Sequence, residues 1–380
     1  MARIYLDHAA TTPTRPEAAR AAAAHAAVGN PSSLHAEGRA ARAAVDEARE
    51  LVARVLGAAP REVVFTGGGT EAAALAVLGA ARAAGAGRHV VVSAIEHRAV
   101  LHAAQTLEAD GWRVTLLPVG PHGTIDARQF AAALSAETVL ASVMLANNEI
   151  GTIQPIAELA ALARERGVLF HTDAVQAAGW LSLDVDALGV DLLSLSAHKF
   201  GGSKGVGALY ARRGVGVLPL AGGGGQEFGV RGGTENVAGI AGMAAALAAA
   251  EAERPEAAPR VTALRDRLQG GAVAVIPDVV VNGGAAPRLP GMLSLAFGDV
   301  PSDALLMRLD LEGIAASAGS ACAAGSLEPS HVTAALGLPE RYRRGTVRFS
   351  LGRATTEAEI DEVTARLPGL LADIRTPVTV

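Results

Sequence analysis

Of the 33 basic residues in this 380-residue chain, only Lys199 and Lys204 are lysine. Arginine serves everywhere else, and its guanidinium, with a pKa above about 12, neither gives up its proton nor attacks a carbonyl. A lysine amine does both. Cys322 is the single cysteine, so it acts without an intramolecular thiol partner. Neither a disulfide framework nor a multi-thiolate zinc or iron–sulfur site is expected, and no metal is called for. Two lysines and one thiol are therefore the nucleophiles that need an explanation.

Lys199 closes the run Asp191-Leu-Leu-Ser-Leu-Ser196-Ala-His198-Lys199, which sets a hydroxyl, an imidazole and an amine at one corner of an apolar strand. A lysine there is costly unless paired or neutral, and a bond to an aldehyde is one way to be neutral. A second apolar run, Val168-Leu-Phe-His171, ends in Thr172-Asp173-Ala-Val-Gln176. Asp173 either caps the next helix or meets a cationic or donor partner. Thr66-Gly-Gly-Gly-Thr70 joins a strand to a helix, where glycines and free N–H groups suit a phosphate, although the same residues also make a plain flexible turn. The spacing is not that of a dinucleotide fingerprint, and Gly201-Gly-Ser-Lys-Gly205 is no P-loop because glycine follows Lys204. An anion cradle that includes Gly69 and Thr70, a lone carboxylate and a strand-end amine together match pyridoxal phosphate. Its ring nitrogen would face Asp173, its aldehyde Lys199 and its phosphate the glycine turn.

These groups need a scaffold that gathers strand ends. Between residues 60 and 211, seven β-branched runs alternate with helix-like segments: 62–66, 89–93, 114–119, 139–145, 168–171, 191–196 and 206–211. Many are apolar on both alternations, as strands buried on both faces are. The spacing predicts a helix from Glu71 to Ala84, and another from Ile156 opened by Pro155 and closed by Gly167. The alternation implies an α/β fold with a mostly parallel sheet, whose ligands bind outside the carboxyl ends of the strands. After residue 250 the pattern changes. Glu251 to Arg260 is charged and holds two prolines, which suits a boundary, and a smaller α+β region follows with strands near 279–282, 292–297 and 346–351. A last helix opens with the capping box Thr356-Glu-Ala-Glu359 and repeats Ile360, Val363 and Leu367 at helical spacing.

With 38 acidic residues against 33 basic ones, the net charge of −5 offers no field for nucleic acid or anionic lipid. The longest charge-free helical run, Ala238–Ala250, is 13 residues, short of the roughly 20 that cross a bilayer. Asp7 interrupts the N-terminal stretch where a signal peptide would be apolar. A cytoplasmic protein without membrane or direct nucleic-acid contact is expected.

Beyond these readings, an ordered set of motifs resembles the cysteine desulfurases, in the branch serving iron–sulfur cluster assembly. They are Leu6-Asp-His-Ala-Ala-Thr-Thr-Pro13, Glu96-His97, Asn147-Asn-Glu-Ile-Gly151, His171-Thr-Asp-Ala-Val-Gln176, Ser196-Ala-His-Lys199, Arg231-Gly-Gly-Thr-Glu-Asn236, Gly319-Ser-Ala-Cys322 and Arg348-Phe-Ser-Leu-Gly-Arg353. The likeness runs from residue 4 to about 365. It implies a fold type I pyridoxal phosphate enzyme of the class V aminotransferase kind. A large domain, 15–257, would carry a mostly parallel seven-stranded sheet, and a small α+β domain, 1–14 and 258–380, would carry the cysteine.

The resemblance also assigns roles. It implies that Lys199 holds the cofactor and moves the substrate α-proton, that Asp173 keeps the ring nitrogen protonated, and that Gln176 faces the ring hydroxyl. His97 would stack on the ring and shuttle protons. Gly69, Thr70, Ser196 and His198 would surround the phosphate, joined by Thr234 from the neighbouring subunit of a homodimer. Asn148 and Arg348 would hold the carboxylate of L-cysteine, with Arg353 as a rival for that role. Cys322 would take the sulfur as a persulfide, leave alanine, and pass the sulfur to an acceptor protein such as an iron–sulfur scaffold or towards tRNA thiolation. A selenocysteine lyase or a related class V aminotransferase is the alternative. Leu145, Gly201, Phe228 and Gly233 depart from the family's usual residues without removing a catalytic group.

Overall fold

The computed structural model describes residues 3–319 and 330–375. Its strands, in chain order, are β1 (Ile4–Tyr5), β2 (Val63–Thr66), β3 (His89–Ser93), β4 (Arg113–Leu117), β5 (Thr138–Ser142), β6 (Leu169–Asp173), β7 (Leu192–Ser196), β8 (Gly207–Ala211), β9 (Val279–Val281), β10 (Met292–Phe297), β11 (Ile314–Ala315) and β12 (Thr346–Ser350). Seven form one sheet in the order β2-β8-β7-β6-β5-β3-β4. β8 is antiparallel to both its neighbours, and the other six share one direction. The expected α/β class and mostly parallel seven-stranded sheet are what the chain adopts.

Alternating residues of each strand enter different cores, the consequence of a side-chain period of two. Val63, Phe65, Val91, Ala141, Phe170, Leu193, Leu195 and Ala208 pack on one face with the helix Ala36–Leu56 and the first part of Val237–Val275. Val64, Val90, Val92, Leu140, Leu192 and Leu209 pack on the other with the helices after residues 68 and 97. Both faces are covered, which explains the near-continuous apolar runs in the sequence.

Ends differ from the sequence reading in ways that have causes. The third expected strand, 114–119, is β4, which starts at Arg113 and ends at Leu117. The run 139–145 stops as a ladder at Ser142, but Val143 and Leu145 still donate to the carbonyls of His171 and Asp173, at 3.1 and 2.9 Å, before the chain turns at Asn147. The helix expected from Glu71 begins at Gly69 and contains a wider turn at Leu75–Gly79. Pro155 stands just outside the helix Ile156–Arg164 rather than at its first position.

The charged, proline-bearing stretch 251–260 is not a linker. It lies inside a 39-residue helix, Val237–Val275, with Pro255 and Pro259 in its interior. Each proline removes an intrahelical hydrogen bond, but separate cores grip the two ends. Ile240, Met243, Leu247 and Ala250 belong to the sheet core, whereas Val261, Leu264, Leu268 and Ala272 join a second core with β10, β12 and the helix Glu357–Arg375. Ile4 and Leu6 belong to that second core too, because β1 pairs in parallel with β11. β10 is the centre of a three-stranded antiparallel sheet, β12-β10-β9. The capping box forms as read: the Thr356 N–H donates to Glu359 Oε2 at 2.8 Å, and the Glu359 N–H donates to Thr356 Oγ1 at 3.3 Å.

Candidate active site

The carboxyl ends of β2, β6 and β7 open on one cavity of about 280 Å³, lined on this side by Gly69, Thr70, Asp173, Gln176, Ser196 and Lys199. Gly68 has φ +151°, a conformation that favours glycine. A Cβ on Gly69 would stand 2.9 Å from Val175 Cγ2 and 3.0 Å from Ser196 Cβ, so the backbone passes hard against the end of β7. No side chain caps the helix that starts here, which leaves its first N–H groups facing the cavity mouth. Lys204 is exposed beside this turn, outside the cavity.

Lys199 extends from the single helical turn after β7, and its Nζ donates to the carbonyls of Ala9 and Ala10 at 2.6 and 2.9 Å. Gln176 Nε2 donates to the same Ala9 carbonyl at 2.9 Å. The N-terminal motif is thus folded over the amine. His198 Nδ1 lies 3.1 Å from Thr11 Oγ1, and burial, with the Lys199 and Lys204 charges, lowers the imidazole pKa to about 4.

Asp173 ends β6 almost fully buried, its Oδ1 accepting the Val175 N–H at 2.9 Å. Burial raises its pKa, opposed by His97 and Lys199. A cation placed beside it would hold it ionised. His97 caps the helix Arg98–Ala109, its Nδ1 accepting the Ala99 N–H at 3.1 Å. That bond puts the proton of the neutral ring on Nε2. Burial lowers the His97 pKa, with Asp173 pulling the other way.

The opposite wall comes from distant chain. Asn148 lines it, and Arg348, only 1% exposed, reaches it from β12. Arg348 Nη1 donates to the carbonyls of Asn148 and Gly319 at 2.7 and 2.8 Å, and Nη2 to Asp7 Oδ1 at 2.9 Å. Its Nε is buried with no partner among the described residues. Arg353 is not part of this wall: it is exposed and faces Glu253 at 3.6 Å. Thr234 is exposed and does not line the cavity of its own chain. Cys322 lies outside the described residues.

Three lining residues with ionisable side chains had no assigned role in the sequence reading: Arg98, Glu149 and His331. Glu149 lies inside the motif Asn147–Gly151 and Arg98 directly follows His97, so adjacency to assigned residues was the signal that could have found both. His331 comes from the far end of the chain, and no local pattern marks it.

With the site assembled, likeness to known proteins becomes informative. Residues 4–363 match the family described as Aminotransferase class-V. Cysteine desulfurase IscS of Dictyoglomus turgidum is 46% identical over 376 residues, 98% of this chain and 95% of that protein. The chain belongs to the aminotransferase class-V family, among its cysteine desulfurases. An IscS-like cysteine desulfurase of Mycobacterium tuberculosis is 48% identical over 98% of this chain and 97% of its own length. Among solved structures, a NifS-like protein superposes with a TM-score of 0.91 at 35% identity, covering 97% of this chain and 99% of the other. A structure described as SspA in complex with cysteine gives 0.82 at 36% identity, covering 93% and 100%. Members of this group are enzymes that take sulfur from cysteine.

Proposed function

We propose that this desulfurase uses pyridoxal 5'-phosphate to convert L-cysteine to L-alanine, carries the sulfur on Cys322 as a persulfide and hands it to an acceptor protein. The observation that carries the reading is the meeting of one of only two lysines with a buried carboxylate and an uncapped glycine turn around one cavity. The cofactor fits the residues present: the space a Cβ would fill at Gly69, the Asp173 carboxylate that burial leaves in need of a cation, and the amine of Lys199 each match one end of it. Lys199 would bind its aldehyde, Asp173 its ring nitrogen, Gln176 its ring hydroxyl, and Gly69, Thr70, Ser196 and His198 its phosphate. Bound there, it supplies an electron sink for the substrate's α-carbon.

The remaining steps belong to the chain's own side chains. Arg348 and Asn148 orient the cysteine carboxylate, a planar fork suited to a carboxylate that Arg353 is too remote to offer. Lys199 Nζ takes and returns the α-proton. His97, neutral and protonated on Nε2, holds a transferable proton over the same space. The Cys322 thiolate attacks the substrate sulfur; the carbon–sulfur bond breaks, a sulfur–sulfur bond forms, and the β-carbon gains a proton. Cysteine plus thiol gives alanine plus persulfide, so no outside oxidant or reductant enters.

The exposed Thr234 supports a homodimer in which it completes the phosphate site of the neighbouring subunit. The split of apolar cores near residues 250 and 261 supports a large domain of 15–257 and a small one of 1–14 and 258–380. Among the described residues no helix is long and apolar enough to cross a membrane, and we infer a cytoplasmic enzyme acting on an iron–sulfur scaffold or a tRNA-thiolation partner. Mixing the purified protein with each candidate acceptor and following labelled sulfur tests the last point: transfer to neither class would overturn it.

A further inference from the structure

Glu71 and Arg231 stand at the glycine turn, yet neither has a part in the steps above. Glu71 Oε2 accepts the Gly67 N–H at 2.6 Å, and Glu71 Oε1 accepts the Arg231 Nε–H at 2.9 Å. One carboxylate thus joins the first residue of the turn to a remote segment of the chain. A Cβ on Gly67 would stand 2.8 Å from the same Oε2, so the carboxylate lies directly over the turn. Inside the turn, Thr66 Oγ1 and the Ala72 N–H both donate to the Gly68 carbonyl, at 3.0 and 3.1 Å. The Gly67 N–H is committed to the protein, and the helix N–H groups after it are left for an anion.

A carboxylate in this place is a hindrance as well as a tie. Glu71 lines the outer opening of the site beside Ser196 and His198, where a phosphate would sit, and like charges repel. Arg231 lines neither that opening nor the cavity, but its guanidinium forms an ion pair with Glu71 at 2.9 Å. The segment that carries Arg231 is fastened on both sides of it. Glu227, 4% exposed, accepts from Arg49 Nη1 and Nη2 at 2.8 and 2.7 Å and from the Phe65 N–H at 2.7 Å. Gln226 Oε1 accepts the Gly233 N–H at 2.9 Å.

We propose that Arg231 is a positioning residue for the cofactor phosphate: it holds and neutralises the Glu71 carboxylate that pins the turn, so the turn keeps its shape and still takes an anion. The proposal rests on the phosphate lying at the glycine turn. Because Arg231 acts through Glu71, the order of the variants is set. Arg231→Gln leaves the carboxylate uncompensated and weakens phosphate binding. Glu71→Gln keeps an oxygen for the Gly67 N–H and removes the charge, so binding holds or tightens. With both changes no charge is left to cancel, and the loss is reversed.

The test titrates cofactor-free, full-length protein with pyridoxal 5'-phosphate and with pyridoxal, which has the same ring and aldehyde but no phosphate. Absorbance reports binding, at low ionic strength where screening is weak. Arg231→Gln should raise the Kd for pyridoxal 5'-phosphate at least about tenfold and leave that for pyridoxal within about twofold. Glu71→Gln should bind pyridoxal 5'-phosphate as tightly as wild type or more tightly, and the double variant should return to within about threefold of wild type. A wild-type Kd in Arg231→Gln overturns the proposal, as does an equal loss for the two ligands. A double variant as weak as Arg231→Gln overturns it too, because Arg231 would then only hold its own segment. If Arg231→Gln does not fold, Arg231→Lys and Glu71→Gln carry the test: the lysine keeps the charge and should stay within about threefold of wild type, and a loss of about tenfold in either variant overturns the proposal. Wild-type protein that binds pyridoxal as tightly as pyridoxal 5'-phosphate would instead overturn the phosphate placement itself.

Discussion

The two walls of the cavity are built differently. One is made of strand ends: Asp173 and Ser196 close β6 and β7 within their ladders, and Lys199 sits in the helical turn that follows β7. The other is made of crossings between remote parts of the chain, where Arg348 joins Asp7, Asn148 and Gly319 and His331 meets Glu96. A strand-end group keeps its place as long as the sheet stands. A crossing group depends on the second core docking correctly, so changes in it combine chemistry with assembly.

The sharpest way to break the comparison lies on the strand-end wall. Lys199→Arg should abolish turnover and covalent cofactor attachment with little loss of stability, whereas Lys204→Arg, beside the same turn, should keep both. Turnover in the Lys199 variant, checked by alanine release, contradicts the assignment. Next in size is Asp173→Asn. Removing the buried partner of a ring cation costs about 3–5 kcal/mol, so roughly two to four orders of magnitude in kcat should be lost, while the melting temperature of the cofactor-free protein holds or rises, because burial of a charge is relieved. A loss below tenfold places the ring nitrogen elsewhere.

On the crossing wall, Arg348→Lys should raise the cysteine KM at least tenfold and also lower the melting temperature, because a lysine cannot serve three acceptors in a fork. Arg353→Ala should change KM by less than threefold. Equal effects from the two would erase the distinction between the wall and its exposed neighbour.

The smallest effect separates sheet stability from site chemistry. His171, two residues before Asp173, is buried in β6 with its Nδ1 2.8 Å from Ser142 Oγ, and burial lowers its pKa to about 3. The unfolded chain takes a proton on this ring near pH 6.5, the folded chain does not, so stability is present above 6.5 and falls as pH drops. The slope is about 1.4 kcal/mol per pH unit between 6.5 and about 3. Buried Glu96 and Glu149, with raised pKa values, act in the opposite direction in both proteins compared. Denaturant melts of wild type and His171→Asn between pH 7 and 5 isolate the histidine: the variant should lose less stability on acidification, and parallel curves contradict the burial argument.

The same contrast explains what the sequence made legible. Alternating apolar runs revealed the sheet because both its faces are covered, and the residues just after those runs were therefore visible as strand-end groups. Scarcity did the rest for Lys199, since arginine fills nearly every other cationic position. Arg348 entered only through family likeness, because nothing near it in sequence announces a bond to Asp7. His331 was missed for the same reason: it meets Glu96 in a crossing that no local period encodes. The prolines at 255 and 259 misled in the other direction, since local propensity yielded to two cores gripping one helix.

One measurement bears on the whole account. Wild-type enzyme treated with L-cysteine, quenched and digested should give one added sulfur atom on the peptide containing Cys322, removable by a reducing thiol and accompanied by an equal amount of alanine. Cys322→Ser should bind the cofactor and cysteine yet release no sulfide, because a hydroxyl neither ionises near neutral pH nor attacks sulfur well. Desulfurase turnover by Cys322→Ser, or alanine formed with no sulfur on Cys322, would contradict the central claim.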